Sequence, residues 1–118
     1  MQERNIIITY EAIYDIVEAE EWIFYRFGSD RAKRYRKEIY TELKKLSTDA
    51  SIHAGSGFKY RGYTIYKKPF SPAIMFWIIK ENEVHVLRVP REESDWKTFF
   101  ETHQDYDYSY PTSNVLNK

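Results

Sequence analysis

Cysteine is missing from all 118 residues, so the chain has no disulfide framework and no thiolate metal site. Long apolar runs are missing too. No stretch approaches the roughly 18 residues a membrane span needs, and the start of the chain carries no apolar signal run, which predicts a soluble, cytoplasmic protein without a membrane partner. Histidine is scarce: His53, His85 and His103 are the three, and none has a second ligand type at helical or hairpin spacing, so no metal site and no cofactor is expected. Gly55-Ser56-Gly57 lacks the following Lys-Ser/Thr and the preceding strand of a phosphate loop. Ser51 and Ser56 near His53 lie in one flexible segment without an orienting acid, which makes a poor nucleophile constellation.

What the chain does have is rings and segregated charge. Aromatics make up 18% of the residues, which argues against disorder over most of the length. The stretch from Phe58 to Arg91 holds three β-like runs, Lys59 to Lys67, Ala73 to Lys80 and Glu83 to Val89, separated by Pro69, Ser71 and Pro72 and by a turn at Lys80-Glu81-Asn82-Glu83. The middle run, Ile74 to Ile79, is apolar at both parities and needs cover on both faces, so it predicts the central strand of an antiparallel three-stranded meander. Period-two geometry then puts Ile74, Phe76 and Ile78 opposite Met75 and Trp77.

Before the meander, Ile6, Ile7 and Ile8 predict a short N-terminal strand over Asn5 to Tyr10. From Ala12 to Phe27, Ile13, Ile16, Val17, Ile23, Phe24 and Phe27 recur at helical spacing; Gly28 supplies the stop, and Ser29 or Asp30 the cap of a second helix running to about Leu46. On that helix Ala32, Tyr35, Ile39, Leu43 and Leu46 form one stripe. The two helices make a hairpin that lays an apolar face on the sheet. Ser47 to Gly57 is expected to be a loop. After Pro90, Trp96, Phe99 and Phe100 predict a short C-terminal helix begun by Ser94 or Asp95. The chain divides into one domain over residues 1–103 and an acidic, Tyr-rich tail over 104–118. In the tail, Asp105 and Asp107 alternate with Tyr106, Tyr108 and Tyr110, the layout of an extended arm able to fold back on the sheet.

Formal net charge is zero, but residues 1–25 carry six acidic groups to one basic, residues 26–46 eight basic to three acidic, residues 59–91 seven basic to two acidic, and residues 92–118 six acidic to two basic. The ends are acidic and the middle is basic. Lys59, Arg61, Lys67, Lys68, Arg88 and Arg91 lie on the predicted meander and are expected to include a shared solvent-facing cluster of at least three side chains, suited to phosphates or an acidic surface.

The helical run AIYDIVEAEEWIFYRFGSDRAKRYRKEIYTELKKL, the strand start FKYRGYTIYKK and the segment EVHVLRVPREESDW together resemble the RelE/ParE superfamily of bacterial type II toxin–antitoxin toxins, over Ile6 to about Phe100. The resemblance implies an α+β fold of N-terminal strand, helix hairpin, antiparallel meander and short C-terminal helix. It also implies a toxin role in plasmid stabilization or growth inhibition and a small cognate antitoxin as partner; a homodimer is compatible with it. RelE-type members cut ribosome-bound mRNA, whereas ParE-type members poison DNA gyrase through a protein contact. Aligned with the RelE hairpin, the two strand lysines fall on Thr64 and Tyr66, the arginine opening the next strand falls on Ala73, and the basic cluster after the last strand meets Glu92, Glu93 and Ser94. That departure favours a ParE-like, protein-binding toxin or a toxin of undetermined target. A nuclease would have to use substitutes: Arg61 or Arg88 on the pentacoordinate phosphate and Tyr66 or His85 on the proton, with Lys59, Lys67, Lys68 and Arg91 binding nucleic acid or target. An inactive relative acting as an interaction module is the third alternative.

Overall fold

The computed structural model describes residues 3–111. In chain order the elements are β1 (Asn5–Ile8), α1 (Tyr10–Phe27), α2 (Ser29–Lys44), α3 (Leu46–Asp49), a 3-10 turn (Ala50–Ile52), β2 (Gly55–Tyr60), β3 (Tyr63–Phe70), β4 (Ala73–Lys80), β5 (Glu83–Arg88) and α4 (Trp96–Thr102). The strands form one sheet in the order β1-β5-β4-β3-β2, antiparallel through the meander, with β1 laid parallel to β5. No helix among the described residues is long and apolar enough to cross a membrane.

The central strand is as its composition requires. Ala73 to Ile78 are all buried. Met75 and Trp77 join the core under the helices, while Ile74, Phe76 and Ile78 join a second core on the other face. The meander, however, has four strands, because Lys59 to Lys67 is not one run. It doubles back at Arg61-Gly62, which take φ values of 50° and 88° between the paired Tyr60 and Tyr63. Two positive φ angles in a two-residue loop are the geometry that matches the twist of a tight hairpin, and Gly62 supplies one of them without cost. Consequently the segment Ser47 to Gly57 is not a plain loop: it carries α3, the 3-10 turn and the first residues of β2.

Thr9 sets the start of α1. Its hydroxyl accepts the Ala12 N–H at 3.0 Å and donates to the Leu87 carbonyl at 2.8 Å, so one fully buried side chain caps the helix and ties it to β5. Gly28, at φ 94°, ends α1 as expected. The expected Ser29 or Asp30 cap is not formed, because Gly28 is also the residue preceding α2 and Ser29 is already helical. The apolar stripe of α2 is buried as read, but on α1 the buried positions are Ala12, Ile16, Ala19 and Ile23. Val17, Phe24 and Phe27 stay 43, 48 and 56% exposed. Ala12 and Ala19 hold inner-face positions, and the larger Phe24 and Phe27 rings lie on the outside.

The second face of the sheet is covered by α4 and by the tail. Phe100 packs on Phe76 at 4.7 Å between ring centroids, and Tyr108 meets Tyr60 at 5.1 Å. Neither Ser94 nor Asp95 caps α4 with a side chain; the Asp95 carbonyl instead accepts the Phe99 N–H. Residues 104–111 therefore lie against their own sheet, and the remainder of the tail falls outside the described residues.

Candidate functional site

The strand cations do not converge. Alternation along β3 sends Tyr66 and Lys68 to the face under the helix hairpin and Lys67 to the face under α4. Tyr66 accordingly stacks on Trp77, with centroids 6.1 Å apart and planes 17° apart, and Lys68 pairs with Glu42 of α2 at 2.9 Å. Lys67 instead lies 6.0 Å from the Trp96 ring. Lys59, opposite Thr64, shares the Lys68 side and is exposed. Arg61 does not follow the parity of β2 because it occupies the turn. The six basic residues thus divide between both faces of the sheet, the β2–β3 turn and the segment after β5.

Arg88 is held in place by a carboxylate. Its Nε and Nη2 donate to the two Asp15 oxygens at 2.6 and 2.9 Å, Asp15 also accepts the Val89 N–H at 2.9 Å, and the guanidinium lies 4.5 Å from the Phe99 centroid. This bidentate strut joins β5 to α1 and raises the Arg88 pKa against the opposing effect of burial. Arg91 lies 5.0 Å from the Trp22 ring centroid and approaches Glu93 at 3.6 Å.

The tail is fastened by a row of polar contacts. The Arg61 N–H donates to the Gln104 carbonyl and its guanidinium to the Asp105 carbonyl; the Tyr60 hydroxyl donates to the Tyr106 carbonyl at 2.6 Å. Glu11 of α1 accepts the Tyr106 hydroxyl at 2.8 Å and the Ser109 N–H at 3.0 Å, while the Tyr10 N–H donates to the Ser109 carbonyl. Burial alone would raise the Glu11 carboxyl, but those donors outweigh it and hold it below its ordinary value. At the far end His85 sits between the Tyr110 hydroxyl and Glu83, 2.9 Å from each. Burial pushes the Tyr110 phenol up to about 12, so near neutral pH it is a neutral O–H rather than a phenolate nucleophile. Arg61 and His85 grip opposite ends of the 105–110 segment.

A cluster that sequence reasoning missed lies at the tip of the helix hairpin. A cleft of about 410 Å³ opens between the end of α1, the first turns of α2 and the β3–β4 turn, and its lining includes Trp22, Phe27, Arg31, Arg34, Phe70 and Pro72. Arg26 and Arg91 lie 4.8 and 5.0 Å from the Trp22 centroid, and Arg31 lies 5.2 Å from that of Phe27. Arg31 and Arg34 have no carboxylate partner among the described residues. The sequence signal was there: three basic residues, Arg31, Lys33 and Arg34, directly after an aromatic helix end at Trp22, Phe24, Tyr25 and Phe27. Its meaning depended on the β3–β4 turn folding alongside, which no local pattern shows.

A single five-stranded sheet carries a helix hairpin on one face and a short C-terminal helix on the other. The chain is similar to a solved chain titled "Chromosomal ParDE TA system from P. aeruginosa", with a TM-score of 0.66 and 20% identity over 77% of this chain and 98% of that one. No family model matches the sequence, and no curated protein sequence matches it either.

Proposed function

We propose that this chain is the toxin of a toxin–antitoxin pair, acting in the ParE manner by binding a protein target such as DNA gyrase, and held inactive by a small cognate antitoxin. The fold likeness to a chain of a ParDE TA system supports the toxin role. What favours a protein target over RNA cleavage is the dispersal of the nuclease substitutes. Tyr66 lies on the opposite face of the sheet from His85, Arg88 is bound bidentately by Asp15, and Arg61 is engaged by the tail. An RNA-cleaving site needs a phosphate-stabilising cation and a proton carrier within hydrogen-bond reach of one group. A surface that jams an enzyme needs only shape and charge.

Induced expression in a bacterial host should stop growth, and the purified protein should inhibit gyrase supercoiling while cellular transcripts stay intact. Cleavage of translated mRNA without gyrase inhibition would transfer the chain to the RelE mode. Unimpaired growth would leave it an interaction module.

A further inference from the structure

The cleft at the hairpin tip has chemistry that no part of the toxin reading uses. Arg31 and Arg34 are three residues apart on α2, so their side chains rise from neighbouring positions on one helix face. Both are exposed, and neither has a carboxylate partner among the described residues. A guanidinium lying flat on a ring keeps its N–H edge free, and that edge is the fork that meets a carboxylate or phosphate bidentately. Arg31 lies over Phe27, and Arg26 and Arg91 lie over Trp22, with Arg91 also 3.6 Å from Glu93. Between them Phe70 and Pro72, both half-buried, offer an apolar wall, with the buried Ile23 and Tyr35 at its base.

The occupant follows from what the cleft cannot do as well as from what it can. Nucleic-acid strands gain much of their hold on such surfaces by stacking bases on free ring faces. Here the Trp22 and Phe27 rings already carry guanidinium groups. A continuous polyanion would also meet Glu38 in the lining, Glu93 beside Arg91, and the exposed Glu18 and Glu21 of α1. Isolated carboxylates can settle among the arginines and avoid those acids, and an apolar side chain next to them can use the Phe70–Pro72 wall. We infer that this cleft receives an acidic peptide segment of a partner protein, with a carboxylate between Arg31 and Arg34 and an adjacent apolar side chain against Phe70 and Pro72. This site stands apart from the toxin reading and would persist if growth inhibition were not observed.

The test uses the full chain and fluorescein-labelled heptapeptides followed by anisotropy. The probes are Asp-Leu-Glu-Phe-Asp-Leu-Glu, its Asn/Gln counterpart, an all-Asp/Glu peptide without apolar residues, and an oligothymidylate of matched charge. The acidic apolar peptide should bind best. The Arg31→Glu/Arg34→Glu double variant, with its fold checked by circular dichroism, should weaken it at least about tenfold, or about 1.4 kcal/mol. Arg34→Gln should give a smaller loss in the same direction, and Lys44→Glu, at the far end of α2, should change binding less than about twofold. Equal binding by wild type and the double variant would overturn the inference, as would absence of saturable peptide binding. Tighter binding of the oligothymidylate, lost in the double variant, would assign the cleft to nucleic acid instead.

Discussion

The two faces of the sheet are sealed by different means. Under the helix hairpin the cover is largely aliphatic: Ala12, Ile16, Ala19 and Ile23 of α1 and Ile39 and Leu43 of α2 press on Met75, Trp77, Val84 and Val86. Side-chain bonds add to it, from Trp77 Nε1 to the Ala50 carbonyl at 3.2 Å, from the Thr9 hydroxyl to the Leu87 carbonyl, and from Arg88 and the Val89 N–H to Asp15 of α1. The other face is closed by a seven-residue helix and an irregular arm, with Phe76, Phe100, Tyr60 and Tyr108 as filling. An arm without regular backbone bonding cannot satisfy its own N–H and C=O groups, so it needs outside partners. Glu11, Tyr10, Tyr60 and Arg61 provide them. Cover by helices satisfies its own backbone and adds side-chain ties to the strands; cover by coil depends on outside partners for its backbone groups as well.

The largest expected effect breaks the comparison on the helix side. Trp77 is fully buried, and Trp77→Ala should cost about 3–5 kcal/mol, a large share of the roughly 5–15 kcal/mol that holds a domain of this kind together. Truncation after His103 should cost less, about 2–3 kcal/mol, because it chiefly uncovers Tyr60 and forfeits the burial of Tyr108. Urea unfolding measures both. If truncation proves the more damaging of the two, the arm rather than the hairpin is the principal cover.

The same contrast decides what could be read from the sequence. Apolar residues at spacings of three and four gave the hairpin, and the uninterrupted Ile74 to Ile79 gave a strand buried on both sides, because period and burial are tied by geometry. The turn at Arg61-Gly62 was hidden, since β-forming residues flank it on both sides and one of its two positive-φ positions is an arginine. The tail's alternation suggested an arm, but the contact of Glu11 with Ser109 spans 98 residues and leaves no local trace. The candidate cations were legible as residues and not as a site: parity on β3 separates Lys67 from Lys68, and Arg88 meets its acid 73 positions away.

A smaller effect should appear in acid and only on the tail face. Glu11 titrates below its ordinary 4.5 in the folded protein because the Ser109 N–H and Tyr106 hydroxyl outweigh its burial. A depressed folded pKa gives a contribution that is complete above the unfolded value and is lost as pH falls through the folded one. Docking of the arm should therefore be pH-independent near neutrality and weaken progressively below about 4.5. Tyrosine near-UV circular dichroism between about pH 6 and pH 3 should report that loosening. Glu11→Gln should lower the signal at neutral pH and remove this part of its acid dependence. An unchanged acid profile in Glu11→Gln would assign the sensitivity to another carboxylate.

The smallest effect sharpens the comparison by placing one identical change on each face. Tyr35, under the helices, and Tyr108, in the arm, both bury a hydroxyl that has no hydrogen-bond partner among the described residues. Burial, the leading cause in both, pushes the two phenols above their ordinary value, so each remains a neutral O–H at any physiological pH. An unmade hydrogen bond in such a place costs about 1–3 kcal/mol, and deleting the oxygen removes the cost while keeping the ring. Tyr35→Phe and Tyr108→Phe should each leave stability unchanged or raise it by up to about 1 kcal/mol, read as an unaltered or higher urea midpoint with the same slope. A loss beyond about 1 kcal/mol in either variant means that its hydroxyl has a partner, and at a site with room the partner is water. If only Tyr108→Phe loses stability, the arm covers a wet face and the hairpin a dry one, and the difference between the two seals extends from their backbone to their solvent.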